Sequence, residues 1–152
     1  EQILGLKFNE KAYNCQTLAY FLKNMQKSFE KLKKYDIIIV VPVSRKRQKD
    51  RGYNQSEIIA REISKILNIP IKRNRLYKNK NTVPQSTLNK EQREENAKDA
   101  YIAKNCKKIA NKKILLIDDI YTTGSTANEC AKALVNNGIN RNQIGILTIA
   151  KD

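Results

Sequence analysis

Two adjacent acids, Asp118 and Asp119, follow four apolar residues and precede a cluster of hydroxyls around one glycine. The string reads Ile114-Leu115-Leu116-Ile117-Asp118-Asp119-Ile120-Tyr121-Thr122-Thr123-Gly124-Ser125-Thr126. Ionised carboxylates accept hydrogen bonds and donate none, so the acid pair suits the vicinal hydroxyls of a sugar. The same pair suits Mg²⁺, held directly or through water. The hydroxyls of Thr122, Thr123, Ser125 and Thr126 can donate to phosphate oxygens, and Gly124 lets the backbone come close to such a group. A helix beginning here adds free N–H groups and a partial positive charge. An acid pair beside a phosphate cradle describes a phosphorylated ribose. A lone Asp-x-x-Thr would read more simply as the caps of a strand-to-helix turn. Neither GxxxxGK[ST] nor GxGxxG occurs, which removes support for P-loop and dinucleotide-binding readings.

The chain has no histidine and three scattered cysteines, Cys15, Cys106 and Cys130. That excludes a His-based triad and an ordinary Cys/His zinc site within this stretch. An odd, dispersed cysteine count argues against a disulfide framework and fits a reducing cytoplasm.

The elements that must position the acids follow from periodicity. Residues 10–33 place Leu18, Phe21, Leu22, Met25, Phe29 and Leu32 at three- and four-residue spacing and predict an amphipathic helix. Ile37–Val41 is a continuous β-branched run, which suits a strand buried on both faces of a parallel sheet. A polar loop follows, then a second helix marked by Ile58, Ile59, Ile63, Ile66 and Leu67, with Asn54 or Ser56 as its cap. Ile69–Tyr77 reads as a short strand, 78–90 as a long loop, Glu91–Lys98 as a helical turn and Tyr101–Ala103 as another short strand. Ile114–Ile117 forms a buried strand running directly into the acids. A helix then presents Ala127, Cys130, Ala131, Leu134 and Val135, ends at Asn137-Gly138, and leads to a last strand over 144–150. Buried strands alternating with amphipathic helices predict an α/β domain with a mainly parallel sheet, whose ligands sit at the carboxyl ends of the strands.

At 152 residues the chain is about one domain. With 40% hydrophobic residues it can bury a core, and no apolar run approaches the roughly 20 residues that cross a bilayer. The net charge of +15 favours phosphate-rich partners, unless it reflects a Lys-, Asn- and Ile-rich proteome. The chain opens Glu1-Gln2-Ile3 rather than with Met, and so reads as a fragment.

The acid-and-hydroxyl string resembles the ribose-phosphate motif of type I phosphoribosyltransferases. That resemblance implies 5-phosphoribosyl-1-pyrophosphate (PRPP) and Mg²⁺ as ligands. Asp118 and Asp119 would meet the ribose hydroxyls and the metal, and residues 122–126 would cradle the 5′-phosphate. The family's pyrophosphate loop corresponds to Val43-Ser44-Arg45-Lys46. Its mobile catalytic loop corresponds to 78–96, where Arg93 would close over pyrophosphate as a catalytic residue beside Asp118 and Asp119. The implied division is an N-terminal hood over 1–33 and a core over 34–152.

A narrower resemblance covers nearly the whole chain. Val41-Pro42-Val43 followed by Arg51-Gly52-Tyr53-Asn54-Gln55-Ser56, together with Gln85, Leu88, Arg93 and Asn96, is similar to the ComF family of competence proteins. That family is tied to natural transformation and to incoming single-stranded DNA. It implies a cytoplasmic protein working with DNA-uptake partners at the inner face of the membrane. Many members carry a four-cysteine zinc finger before this domain; it is lacking here, so any zinc would belong to an upstream segment. Arg47, Lys49, Arg51, Tyr53 and Tyr121 are the nucleic-acid candidates, Tyr121 being placed in an exposed loop, and Tyr13, Tyr20 and Tyr77 are further stacking faces. Three roles stay open: a PRPP-binding module acting on DNA, an active transferase, and an RNA-binding regulator of nucleotide synthesis.

Overall fold

The computed structural model describes residues 30–43, 49, 52–79, 92, 99–121 and 123–151. Five strands and two helices form the frame: β1 (Ile37–Val40), α1 (Gln55–Leu67), β2 (Leu76–Lys78), β3 (Tyr101–Ala103), β4 (Ile114–Tyr121), α2 (Ser125–Val135) and β5 (Ile144–Lys151). β1, β4 and β5 make a parallel sheet in the order β1-β4-β5, while β2 and β3 form a separate antiparallel pair. The α/β fold with a parallel sheet is the expected one.

The β-branched run of β1 lies against β4 with Ile38 opposite Leu115 and Ile39 opposite Leu116. Asp36 sets this register. Its Oδ2 accepts from Lys113 N at 2.7 Å and its own N–H donates to Lys113 O at 2.8 Å, clamping the two strands where they begin. Alternation then splits the core into two layers. Ile37, Ile39, Ile114 and Leu116 pack with Cys130 and Leu134 of α2 and with the β2–β3 pair. Ile38, Leu115 and Ile117 pack with Ile59, Ala60 and Ile63 of α1. Burial on both faces is what a continuous apolar run requires, and each fully buried Ile or Leu contributes about 1.5–3 kcal/mol.

α1 starts at Asn54, whose side chain accepts from Ser56 N at 3.0 Å, and it ends at Asn68 in the left-handed region. The cap is therefore Asn54, and Ser56 lies inside the first turn. Ile66, assigned to the apolar face by spacing, is exposed. The strand predicted over 69–77 is two pieces. Ile71 bridges to Ile38 in parallel, with Ile38 N donating to Pro70 O at 2.9 Å and Lys72 N to Ile38 O at 2.8 Å. The chain then leaves the sheet, and Leu76–Lys78 pairs with β3 instead. Residues 30–32 are helical and Lys33 is in a turn; residues 10–29 of the predicted helix lie outside the described residues, as does most of the 78–98 region. Among the described residues no helix is long and apolar enough to cross a membrane.

Candidate functional site

The acids sit where strand lengths differ. β4 does not stop at Ile117; it continues through both acids to Tyr121, paired with β5 as Asp118 to Thr148 and Tyr121 to Lys151. β1 ends at Val40, with one further hydrogen bond from Val41 N to Ile117 O at 2.9 Å. Asp118 therefore stands just beyond the end of its β1 neighbour. α1 closes that gap with Ser56, 1% exposed, whose hydroxyl donates to Asp118 Oδ1 at 3.3 Å. The same oxygen accepts from Asp119 N at 3.0 Å. The α1 cap holds this arrangement in place: Asn54 Nδ2 donates to Val41 O at 3.3 Å and ties the start of α1 to the end of β1.

Asp118 is 8% exposed, and Asp119 is half-buried with its Oδ1 accepting from Ile120 N at 3.0 Å. Burial, reinforced by the neighbouring charge of Asp119, pushes the Asp118 carboxyl up to about 7. A carboxyl so placed can hold or release a proton near neutrality, and a cation beside the pair would favour its ionised form. Among the described residues no group of three or more ligating side chains forms. Two carboxylates are nevertheless a fitting donor set for Mg²⁺, which completes its shell with water and substrate phosphate oxygens.

Past Tyr121 the chain turns into α2. Ser125 N donates to Thr123 Oγ1 at 3.3 Å, and Thr123 Oγ1 donates to Ser125 Oγ at 3.0 Å. Gly124 is the N-cap at φ 80°, a conformation that favours glycine, and it makes no side-chain cap. A Cβ on Gly124 would stand 2.7 Å from Tyr121 Oη. Tyr121 is thus not in an exposed loop: it ends β4, half-buried, with its ring against the Gly124 turn. A depression opens here between Asp118, Tyr121, Gly124, Thr126, Ala127 and Thr148. It joins a buried carboxyl, a hydroxyl from β5 and the amino end of a helix, a combination that suits a sugar bearing an anionic group.

Asp118, Gly124 and Thr126 line the depression, the Asp119 N–H donates to Asp118 Oδ1, and Thr123 and Ser125 are hydrogen-bonded to each other in the turn beside it. Val43 is half-buried just past β1, Tyr53 is 42% exposed beside the α1 cap, and Lys49 is exposed in a helical turn. Thr122, Ser44, Arg45, Lys46, Arg47, Arg51 and Arg93 lie outside the described residues. Sequence reasoning missed Ser56 and Thr148 as site residues. Ser56 had a readable signal, because it shares the buried stripe of Ile59, Ala60 and Ile63 at helical spacing, where a polar residue needs a partner. Thr148 was signalled only by its place late in the last strand.

The phosphoribosyl transferase domain family matches residues 22–152. Competence protein F of Haemophilus influenzae is 34% identical over 146 residues, which cover 93% of this chain and 64% of that protein. The chain belongs to the ComF family of phosphoribosyl transferase domain proteins. Other relatives of this ComF-family chain include DNA utilization protein YhgH of Escherichia coli K12, 30% identical over 103 residues, covering 68% of the chain and 44% of that protein. Competence protein ComFC of Bacillus subtilis is 25% identical over 133 residues, covering 82% and 50%. The ComF-family chain thus spans about half to two thirds of the length of these curated relatives.

Proposed function

We propose that this ComF-family chain binds PRPP with Mg²⁺ at the junction of β4 and α2, and that it serves the handling of single-stranded DNA in natural transformation. The observation that carries the first part is the buried Asp118 carboxyl, held by Ser56 beside the Thr123–Thr126 turn at the start of α2. Asp118 and Asp119 take the ribose hydroxyls, residues 122–126 the 5′-phosphate, and Val43, Ser44, Arg45 and Lys46 the pyrophosphate, with Arg93 closing over it. Asp118 and Asp119 would hold Mg²⁺, which when bound would supply positive charge to offset that of the pyrophosphate. The names of the relatives, competence proteins and DNA utilization proteins, support the second part.

A second reading is an active transferase. A nitrogen nucleophile forms a bond to C1 of the ribose while the C1–oxygen bond breaks and the electron pair leaves with pyrophosphate. The proton lost by the nitrogen passes to the departing pyrophosphate or to water, and the match to the phosphoribosyl transferase domain family supports this reading. Residues 1–33 would be the hood that selects the acceptor.

Calorimetric titration of PRPP, with and without Mg²⁺, into wild type and Asp119→Asn tests the site. Micromolar, Mg²⁺-dependent binding that the variant loses is the expected result. No binding by wild type overturns the proposal. Pyrophosphate release on addition of a base separates the two readings.

A further inference from the structure

The charge of this protein is not spread evenly. Near α1 and α2 several basic side chains have acidic partners: Arg61 and Arg73 with Glu57, Lys65 with Glu62, and Lys132 with Glu129. Residues 72–79 and 100–113 are different in composition. They hold nine lysines and arginines, four in the first segment, including the Arg73 paired with Glu57, and five in the second, and no Asp or Glu. The fold brings these two segments together. Leu76, Tyr77 and Lys78 pair with Ala103, Ile102 and Tyr101, and Lys104 N donates to Arg75 O at 2.9 Å. Immediately after β3, a single 3₁₀ turn, Cys106–Ile109, buries Cys106 and Ile109 and so turns Lys107 and Lys108 outward. Lys104, Lys107, Lys108 and Lys112 are exposed, and none of them has an acidic partner among the described residues. A proteome rich in lysine would scatter charge without regard to the fold; here one sign gathers on one hairpin and the turn behind it.

The same surface carries an aromatic. Tyr77 is half-buried on the hairpin, opposite Ile102, and the Lys104 ammonium lies 5.5 Å from its ring centroid. A cation against an aromatic ring, set among lysines without acidic partners, is the pairing that holds single-stranded nucleic acid: the lysines follow phosphates and the ring meets a base. Lys112 and Lys113 extend the charge to the start of β4, the end of that strand away from Asp118.

We infer that the β2–β3 hairpin and the 3₁₀ turn after it form a single-stranded DNA-binding surface, centred on Tyr77, Lys104, Lys107 and Lys108 and separate from the Asp118 site. This rests on the DNA part of the proposed function, and it places the DNA on the hairpin rather than on the Arg47–Tyr53 segment.

The test uses fluorescence anisotropy with a labelled oligothymidylate of about 20 nucleotides, longer than one such site needs. Wild type is compared with the triple variant Lys104→Gln, Lys107→Gln, Lys108→Gln, with Tyr77→Leu, and with Lys49→Gln in the other segment. The triple variant is expected to bind at least about tenfold more weakly at low salt. Its slope of log affinity against log salt should be shallower by about 2, at about 0.7 for each phosphate neutralised on a single strand. Tyr77→Leu should weaken binding with an unchanged salt slope. The double variant Lys107→Gln, Lys108→Gln, whose side chains point away from the core, gives the same reading should the triple variant melt early. Wild-type affinity and slope in both lysine variants, with loss in Lys49→Gln, would overturn the hairpin surface and leave the DNA reading standing. Failure of wild type to bind the oligonucleotide, or binding only to phosphatidylserine vesicles, would overturn both.

Discussion

Ser56 and Asp118 stand 62 residues apart in the chain and share a buried hydrogen bond, Oγ to Oδ1 at 3.3 Å. The bond exists because β1 is shorter than β4, so the first turn of α1 reaches over its end. Ser56 favours the charged form of Asp118, opposing burial and Asp119, which raise its pKa. Ser56→Ala removes that donor. At about pH 8 it should cost about 1–2 kcal/mol, the usual penalty for a buried acceptor losing its partner. At about pH 5, with Asp118 protonated, the loss should shrink. Urea unfolding at the two pH values measures both; equal losses would show that the bond does not involve the ionised carboxylate.

Asp118 also makes stability depend on pH in an unusual direction. Its folded pKa, about 7, lies above its ordinary value of 3.8. The folded state therefore binds the proton more tightly than the unfolded chain, and this contribution is fully present below about pH 4 and lost as pH rises through 7. The swing is up to about 4 kcal/mol, since each tenfold change in proton affinity is worth about 1.4 kcal/mol. Asp118→Asn removes it. The melting temperature of the variant relative to wild type should rise steadily between about pH 4 and pH 8, as followed by calorimetry. A constant difference would contradict the buried, raised carboxyl.

Gly124 has two reasons to remain glycine: φ of 80°, and the Tyr121 ring where a Cβ would go. Gly124→Ala should cost about 1–3 kcal/mol. Adding Tyr121→Ala relieves the crowding but not the backbone strain, so the double variant should cost less than the sum of the two single losses. Strict additivity in thermal unfolding would argue that the ring does not press on the turn.

Gly145 carries steric demand without a special backbone angle. The Tyr35 ring lies where its Cβ would stand, next to the pairing of Leu115 with Gly145 in the sheet. Gly145→Ala should destabilise by about 1–3 kcal/mol, as overpacking does. Gly52→Ala, with nothing among the described residues near its Cβ position, should show the cost of its positive φ. Comparing the two melting temperatures, and repeating Gly145→Ala with Tyr35→Ala, separates crowding from backbone strain.

Stability should also respond to ligand. PRPP with Mg²⁺ at about 100 times its dissociation constant should stabilise the folded chain by about 2.7 kcal/mol, with chelation of Mg²⁺ reversing the gain. Differential scanning fluorimetry with and without a chelator reads this directly, and an unchanged melting temperature in both would count against a site at Asp118.

Local chemistry was legible in the linear order of residues. The β-branched run at 37–41, the apolar run ahead of Asp118 and the hydroxyls around Gly124 each specify their neighbourhood through side-chain period and backbone freedom, so the parallel α/β plan, the strand-to-helix turn and the family could be read directly. Relative lengths and depths could not. That β4 runs on to Tyr121, that Asp118 is covered by Ser56, that Tyr121 folds back on Gly124, and that 69–77 divides between two sheets all depend on which strands lie side by side and where each one ends. Periodicity reports which way a side chain faces; only packing decides what it meets there, and the cost of burying a carboxyl is set by that encounter.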